Sequence, residues 1–216
     1  YATPKMFLAR NFYAIMLFIL ILFAGLPFPI TPVQISWVTL FSINIPATLI
    51  AFGFVRPQKM TNFRDDVLDF IITGGFIGAI IMATLYVIVY FGTDRDLDSV
   101  RAAITIFQAL YNAYLVMVIQ GVDFYNPRTF LEHWRVVLAV TVLAVVSVLS
   151  MYTMPWIFEF RPIGLGNDAW IYGVIYLLLV LSMILLAHGM RFRYLLRRLY
   201  ALQARNERRV VQVTED

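Results

Sequence analysis

The stretch "GLPFPITPVQISWVTLFSINIPATLIAF", residues 25 to 52, has the composition of a membrane span, but its centre contains an amide and a helix breaker. Asn44 and Pro46 fall where a spanning helix would lie deepest in lipid. Proline removes one backbone hydrogen bond of a helix, and a freed carbonyl group that faces lipid is strongly unfavourable. We therefore predict a kinked helix whose broken backbone faces other helices or water.

The composition of the whole chain indicates that most of it lies in lipid. Of its 216 residues, 61% are hydrophobic and 14% are charged, and the mean hydropathy is +0.78. Cysteine is absent, which excludes disulfides, thiolate metal sites and cysteine nucleophiles. Only two histidines occur, His133 and His188, so a histidine metal centre or a catalytic triad is disfavoured. The predicted fold class is all-α, a polytopic membrane protein.

The number of spans follows from the length of the apolar runs. A bilayer core about 30 Å thick requires roughly 20 apolar residues per helix. Six runs meet this length, which predicts a six-transmembrane-helix bundle with a proline-kinked second helix over residues 1–190. The predicted spans are Asn11 to Pro29, Val33 to Val55, Val67 to Phe91, Ala102 to Val122, Val136 to Phe158 and Ala169 to Met190.

The distribution of Lys and Arg predicts the orientation of this bundle. Fourteen of the seventeen basic residues fall on one predicted side of the membrane, and Arg95, Arg101 and Arg161 fall on the other. The positive-inside rule therefore puts both termini in the cytoplasm. Residues 191–216 are predicted to form a basic amphipathic cytoplasmic tail. This tail either lies along the anionic membrane surface or is solvated and only fixes the topology.

The opening stretch resembles the end of the fifth and the whole of the sixth membrane helix of P-type cation-transporting ATPases. Their pattern is close to G-L-P, four residues, then P-V-Q-x-x-W-V-N-x-x-T-D-G-x-P-A. The chain matches it without a gap at Gly25-Leu26-Pro27, Pro32-Val33-Gln34, Trp37-Val38 and Pro46-Ala47. Upstream, "FLARNFYAIMLFILIL" resembles the start of the fifth helix of these pumps. The likeness covers nearly the whole chain and is most specific in residues 7 to 57.

The resemblance implies a cation path between the first two spans of this chain. Asn11 matches a ligand position of the fifth helix, and Thr39 and Ser42 match ligand positions of the sixth. We expect the cation-facing residues to be Asn11, Thr39, Ser42 and Asn44, with the carbonyl groups before Pro46 as further ligands.

Both acidic ligands that the resemblance implies are replaced by apolar residues, Ala14 and Ile43. Neutral oxygens alone bind a divalent ion more weakly, because ligand charge largely sets the affinity of such sites. The transported ion, and with it any metal, is therefore left open.

Two weaker patterns lie in the later spans. Gln108 and Asn112, one helical turn apart, form a secondary polar cluster that supplies either further neutral ligands or interhelical hydrogen bonds. The small residues around Gly74 and Gly78 indicate close helix packing, within the bundle rather than at a dimer face. The four tryptophans fall near span ends, which is typical of an aromatic belt.

The sequence contains neither the D-K-T-G-T phosphorylation motif nor a glycine-rich phosphate loop, so this chain is not an ATPase on its own. The first functional hypothesis is the cation-translocating membrane part of a P-type ATPase, in the bacterial cytoplasmic membrane. ATP and Mg²⁺ would then belong to its phosphorylation, nucleotide-binding and actuator domains. The start "YATPKMFLAR" is interpreted as an interior point of a longer chain or a processed start.

The alternative hypothesis is a catalytically inert P-type remnant that acts as an accessory subunit of a larger membrane complex. The expected partners are the lipid bilayer and either other membrane subunits or the missing cytoplasmic domains, and not nucleic acid. A self-sufficient channel is disfavoured, because no ring of charge is present.

Overall fold

The structure is a computed structural model that describes residues 2–45 and 63–215, without the side chains of residues 2–6, 42, 43, 63–67 and 193–215. This part of the chain is helical apart from turns and short connections. Its elements are α1 (Ala2–Phe23), α2 (Pro32–Thr39), a π-helical turn (Leu40–Asn44), α3 (Phe63–Gly92), α4 (Leu97–Ile119), α5 (Pro127–Glu132), α6 (Trp134–Thr153) and α7 (Trp170–Glu215).

Four of these helices are long and apolar enough to cross a bilayer. They are the segments Leu68–Gly92, Leu97–Ile119, Trp134–Thr153 and Trp170–Phe192. The described apolar part of α1 is shorter, and the second predicted span runs into residues 46–62, outside the described part of the chain. The all-α class is confirmed for the described residues, and four helices have the length and apolar composition of membrane spans. The count of six spans stays a prediction.

The first helix ends earlier than the sequence predicted. The predicted span reached Pro29, but α1 ends at Phe23 because Gly25 adopts a left-handed φ of 66°. The N–H of Gly25 donates to the Leu22 carbonyl at 3.0 Å. The N–H of Leu26 donates to the Ile21 carbonyl at 3.2 Å. This pair of bonds is the Schellman arrangement, which satisfies the last carbonyl groups of a helix.

The second helix starts with a capping box. The Thr31 hydroxyl accepts from the backbone N–H of Gln34 at 3.3 Å, and the Gln34 side chain accepts from the backbone N–H of Thr31 at 3.1 Å. Pro32 occupies the first turn, where a missing N–H costs nothing. The T-P-V-Q part of the resemblance motif therefore fixes where α2 begins.

Helix α4 lies at the centre of the bundle. Of its most apolar 18-residue window, 78% is buried, against 50% for α3 and 28% for each of α6 and α7. It contacts α1, α2, the π-helical turn, α3, α6 and α7. The polar side chains Thr105, Gln108 and Asn112 in the middle of α4 are accordingly buried.

The small residues of α3 accept bulky side chains from two neighbouring helices. A Cβ atom at Gly78 would lie 2.7 Å from Cε1 of Tyr111 on α4, and one at Gly75 would overlap Phe12 on α1. The Tyr111 hydroxyl also donates to the Gly74 carbonyl at 2.6 Å. The predicted use of this stripe for packing within the bundle is confirmed.

The outer helices present apolar faces that the described part of the chain leaves uncovered. On α6 the exposed side chains recur at helical spacing and include Leu138, Val142, Val145 and Leu149. Such a face is stable in contact with lipid tails and would be unfavourable in water. The apolar composition of these exposed faces is therefore what we expect of helices that are long enough to span a membrane.

Candidate functional site

The second helix changes helix type before it reaches Pro46, the residue at which the break was predicted. The α-helical pattern of α2 stops at Thr39, and the next five residues form the π-helical turn, in which the N–H of Ile45 bonds to the carbonyl of Leu40. A π-helical turn contains one more residue per hydrogen-bonded ring and is found mostly as an isolated turn, often at functional sites. Pro46 lies directly after this segment and outside the described residues.

The structure separates the predicted cation-facing residues into different environments. Asn11 lies half-buried on α1, and Asn44 is exposed in the π-helical turn. The Thr39 hydroxyl donates to the Ile35 carbonyl of its own helix at 2.8 Å. Ser42 belongs to the π-helical turn, but its side chain lies outside the described residues. Helix α1 contacts this turn, so the two elements of the predicted path are neighbours.

A buried polar contact joins α1 to α4. The Tyr13 hydroxyl donates to Asn112 Oδ1 at 2.9 Å, and neither residue is more than 6% exposed. The secondary polar cluster predicted from sequence thus lies inside the bundle and has a partner on the first helix.

The secondary polar cluster is only partly satisfied. Gln108 is 3% exposed and lies at the midpoint of α4. Its Oε1 atom and Asn112 Nδ2 have no hydrogen-bond partner among the described residues. An unpaired buried polar atom is unfavourable by about 1–3 kcal/mol, so these two atoms require an explanation.

Tyr13 was missed by the sequence analysis. It belongs to a stripe of buried residues at spacing four on α1, which consists of Ala9, Tyr13, Leu17 and Ile21. A tyrosine on the buried stripe of a membrane helix needs a partner for its hydroxyl group, because lipid provides none. Its position on that stripe was the signal that could have identified it.

Two polar contacts join the second helix to α6 and to the segment that follows α6. Gln34 Nε2 donates to the carbonyl of Glu159 at 3.3 Å, and Trp37 Nε1 donates to the Ser150 hydroxyl at 2.9 Å. Trp37 is fully buried. The expected aromatic-belt role is therefore wrong for Trp37, because its ring packs inside the bundle and its N–H is already bonded.

Further polar contacts join the loop after α4 to α7. Arg191 forms an ion pair with Asp123 at 3.3 Å, and its guanidinium group lies 4.3 Å from the ring centroid of Tyr125. The Tyr125 hydroxyl lies 2.9 Å from His188 Nδ1. His188 on α7 is thus in contact with this loop. Among the described residues no His, Cys, Asp and Glu side chains group in threes to hold a metal ion.

Comparison with known proteins gives no match: no family model fits the chain, and neither a curated protein nor a solved structure is found similar to it. The resemblance to P-type ATPases therefore rests only on the residues quoted above.

Proposed function

We propose that the chain is the cation-translocating membrane part of a P-type ATPase. The observation that carries the proposal is the π-helical turn Leu40–Asn44, because it lies within the stretch whose motif resembles the broken ion-binding helix of these pumps. Carbonyl groups at a discontinuity in a membrane helix can serve as ion ligands when they face protein or water. Both Ser42 and Asn44 lie in this turn.

The hydroxyl group of Thr39 is suited to a ligand role. Because it donates its proton to the Ile35 carbonyl, its oxygen lone pairs stay available for a cation. Together with Asn11 and the π-helical turn, this would give a site of neutral oxygens. Such a site suits a weakly held ion, since no carboxylate contributes charge.

Helix α1 would couple this site to the rest of a pump. It packs along α3 and also contacts α4 and the π-helical turn. If its amino-terminal end were attached to a phosphorylation domain, a tilt of α1 would change the spacing around the site. In this proposal ATP and Mg²⁺ act in the cytoplasmic domains, and this chain supplies only the ion path.

The test uses the complete pump in proteoliposomes, with ATP hydrolysis measured against a panel of monovalent and divalent cations. The proposal predicts that one cation stimulates hydrolysis and that Asn11→Ala and Asn44→Ala each raise the concentration needed for half-maximal stimulation. Thr84→Val is the matched control, because Thr84 is exposed on α3 and its hydroxyl bonds only within its own helix, to Ile80.

A half-maximal concentration unchanged in both asparagine variants would contradict the assigned site. The accessory-subunit alternative predicts a different result. The native particle purified from its membrane would then contain further membrane subunits, and no cation would stimulate ATP hydrolysis.

A further inference from the structure

Two amide atoms of the secondary polar cluster have no hydrogen-bond partner in the part of the chain that the structure describes, and they lie on the same face of α4. Gln108 and Asn112 are four residues apart, so their side chains are neighbours on the helix surface. Both are more than nine-tenths buried. Two unsatisfied atoms so placed are explained most simply by one partner that bonds to both.

The chemistry of the two atoms defines this partner. Gln108 Oε1 can only accept a hydrogen bond, and Asn112 Nδ2 can only donate one. Since the Tyr13 hydroxyl already donates to Asn112 Oδ1, the amide nitrogen of Asn112 is the group that is left. A bare cation would fit the oxygen but be repelled by the N–H, and an anion would fit only the N–H. A neutral molecule that both donates and accepts satisfies the two atoms at once.

We propose that one internal water molecule bridges Asn112 Nδ2 and Gln108 Oε1. The hydrogen-bond chain then runs from the Tyr13 hydroxyl to Asn112, from Asn112 to the water, and from the water to Gln108. Buried waters form roughly two to four hydrogen bonds to otherwise unsatisfied polar groups, and these two amide atoms supply two of them. Because Gln108 is at the midpoint of α4, the water lies near the middle of the bilayer. This site is independent of the pump proposal.

The test is X-ray hydroxyl-radical footprinting of the purified chain in detergent, read by mass spectrometry. Radiolysis of a bound water produces radicals next to side chains that bulk solvent does not reach. Tyr13 is fully buried, so its oxidation reports on the water. We expect Tyr13 to be oxidised several-fold faster than the equally buried Met151, although methionine is intrinsically more reactive, and to resist a radical scavenger in the bulk solvent.

Two variants sharpen the experiment. Gln108→Leu removes the acceptor, and Tyr13 oxidation should fall to the level of Met151. Thr105→Val is the matched control, because Thr105 is equally buried on α4 and its hydroxyl bonds to the Arg101 carbonyl of the same helix at 2.7 Å. This variant should leave Tyr13 oxidation unchanged.

Thermal unfolding gives a second measurement. If Gln108 Oε1 were dry and unpaired, Gln108→Leu would raise the unfolding midpoint, because it removes an unsatisfied buried oxygen. With the water present it should leave the midpoint unchanged or lower it. A raised midpoint, or Tyr13 oxidation no faster than that of Met151 in the unmodified chain, would overturn the proposal. The second criterion holds even if the variant fails to fold.

Discussion

At the scale of single residues, a few hydrogen bonds between polar side chains and neighbouring helices join the described helices inside an otherwise apolar bundle. The Tyr13 hydroxyl and Asn112 Oδ1 join α1 to the central helix, and the Tyr111 hydroxyl bonds to the Gly74 carbonyl of α3. The sequence identified Asn112 as polar within a span but gave no partner for it. The partner depends on which faces of α1 and α4 meet, which sequence spacing within one helix does not contain.

The bond between Tyr13 and Asn112 should be measurable as a coupling energy. Tyr13→Phe leaves Asn112 Oδ1 buried without its donor, so we expect the free energy of unfolding in detergent to fall by about 0.5–2 kcal/mol. Tyr176→Phe is the control, because Tyr176 is 70% exposed on α7 and should show little change. In a double-mutant cycle with Asn112→Leu, a coupling energy of zero would show that the bond does not form.

The contact between Gly78 and Tyr111 gives a test of the packing between α3 and α4. A Cβ atom there would lie 2.7 Å from the buried Tyr111 ring, so Gly78→Ala should lower the free energy of unfolding by about 1–3 kcal/mol. Gly173→Ala on α7 is the matched control, because nothing lies within 4 Å of the added atom. The control should be neutral or stabilising by about 0.5–1 kcal/mol, since alanine favours helix. Equal effects of both substitutions would contradict the described packing.

At the scale of elements, two helices depart from uniform α-helical spans. The segment from Pro32 onwards changes to a π-helical turn at Leu40–Asn44. The break predicted at Pro46 lies outside the described residues. Helix α7 continues as one helix over 46 residues to Glu215 and therefore extends about 69 Å. The segment Trp170–Phe192 is long and apolar enough to cross a bilayer, and residues 193–215 contain six arginines. The remainder carries the basic residues of the predicted cytoplasmic tail.

The continuity of α7 predicts which arginines reach the lipid headgroups. If the helix projects straight from the membrane, Arg205 lies about 18 Å beyond Arg193, more than twice the Debye length of about 8 Å at physiological salt. Replacing Arg193, Arg197 and Arg198 by Gln should therefore weaken binding to anionic lipid vesicles in a salt-dependent way. The same replacement at Arg205, Arg208 and Arg209 should have little effect.

Binding of the chain in nanodiscs to phosphatidylserine vesicles, measured by co-sedimentation, distinguishes the two interpretations of the tail. A similar loss for both sets of substitutions would indicate a tail that lies along the membrane surface.

At the scale of the whole molecule, the central position of α4 and the exposed apolar faces of α6 and α7 describe a bundle whose exterior is suited to lipid. The orientation of the bundle was predicted from the distribution of Lys and Arg alone. The absence of cysteine from the sequence makes this orientation directly measurable, because every introduced thiol is unique.

Labelling of single-cysteine variants with a membrane-impermeant maleimide in intact bacterial cells tests the orientation. Gly166→Cys lies in the loop between α6 and α7 and is exposed, so it should react from outside. Glu132→Cys lies at the end of α5, on the predicted cytoplasmic side, and should react only after permeabilisation. The reverse pattern would mean that the termini are outside the cell.

The sequence by itself determined the helical class, the apolar composition of the later spans and the use of the α3 glycines for packing. Each of these follows from the hydrophobicity or the size of side chains within a single segment. The predicted break at Pro46 stays a prediction, because Pro46 lies outside the described residues. The tertiary structure decided the partner of Asn112 and the burial of Trp37. Each of these depends on contacts between helices far apart in sequence, and in lipid a buried polar group is stabilised only by a partner that the packing brings to it.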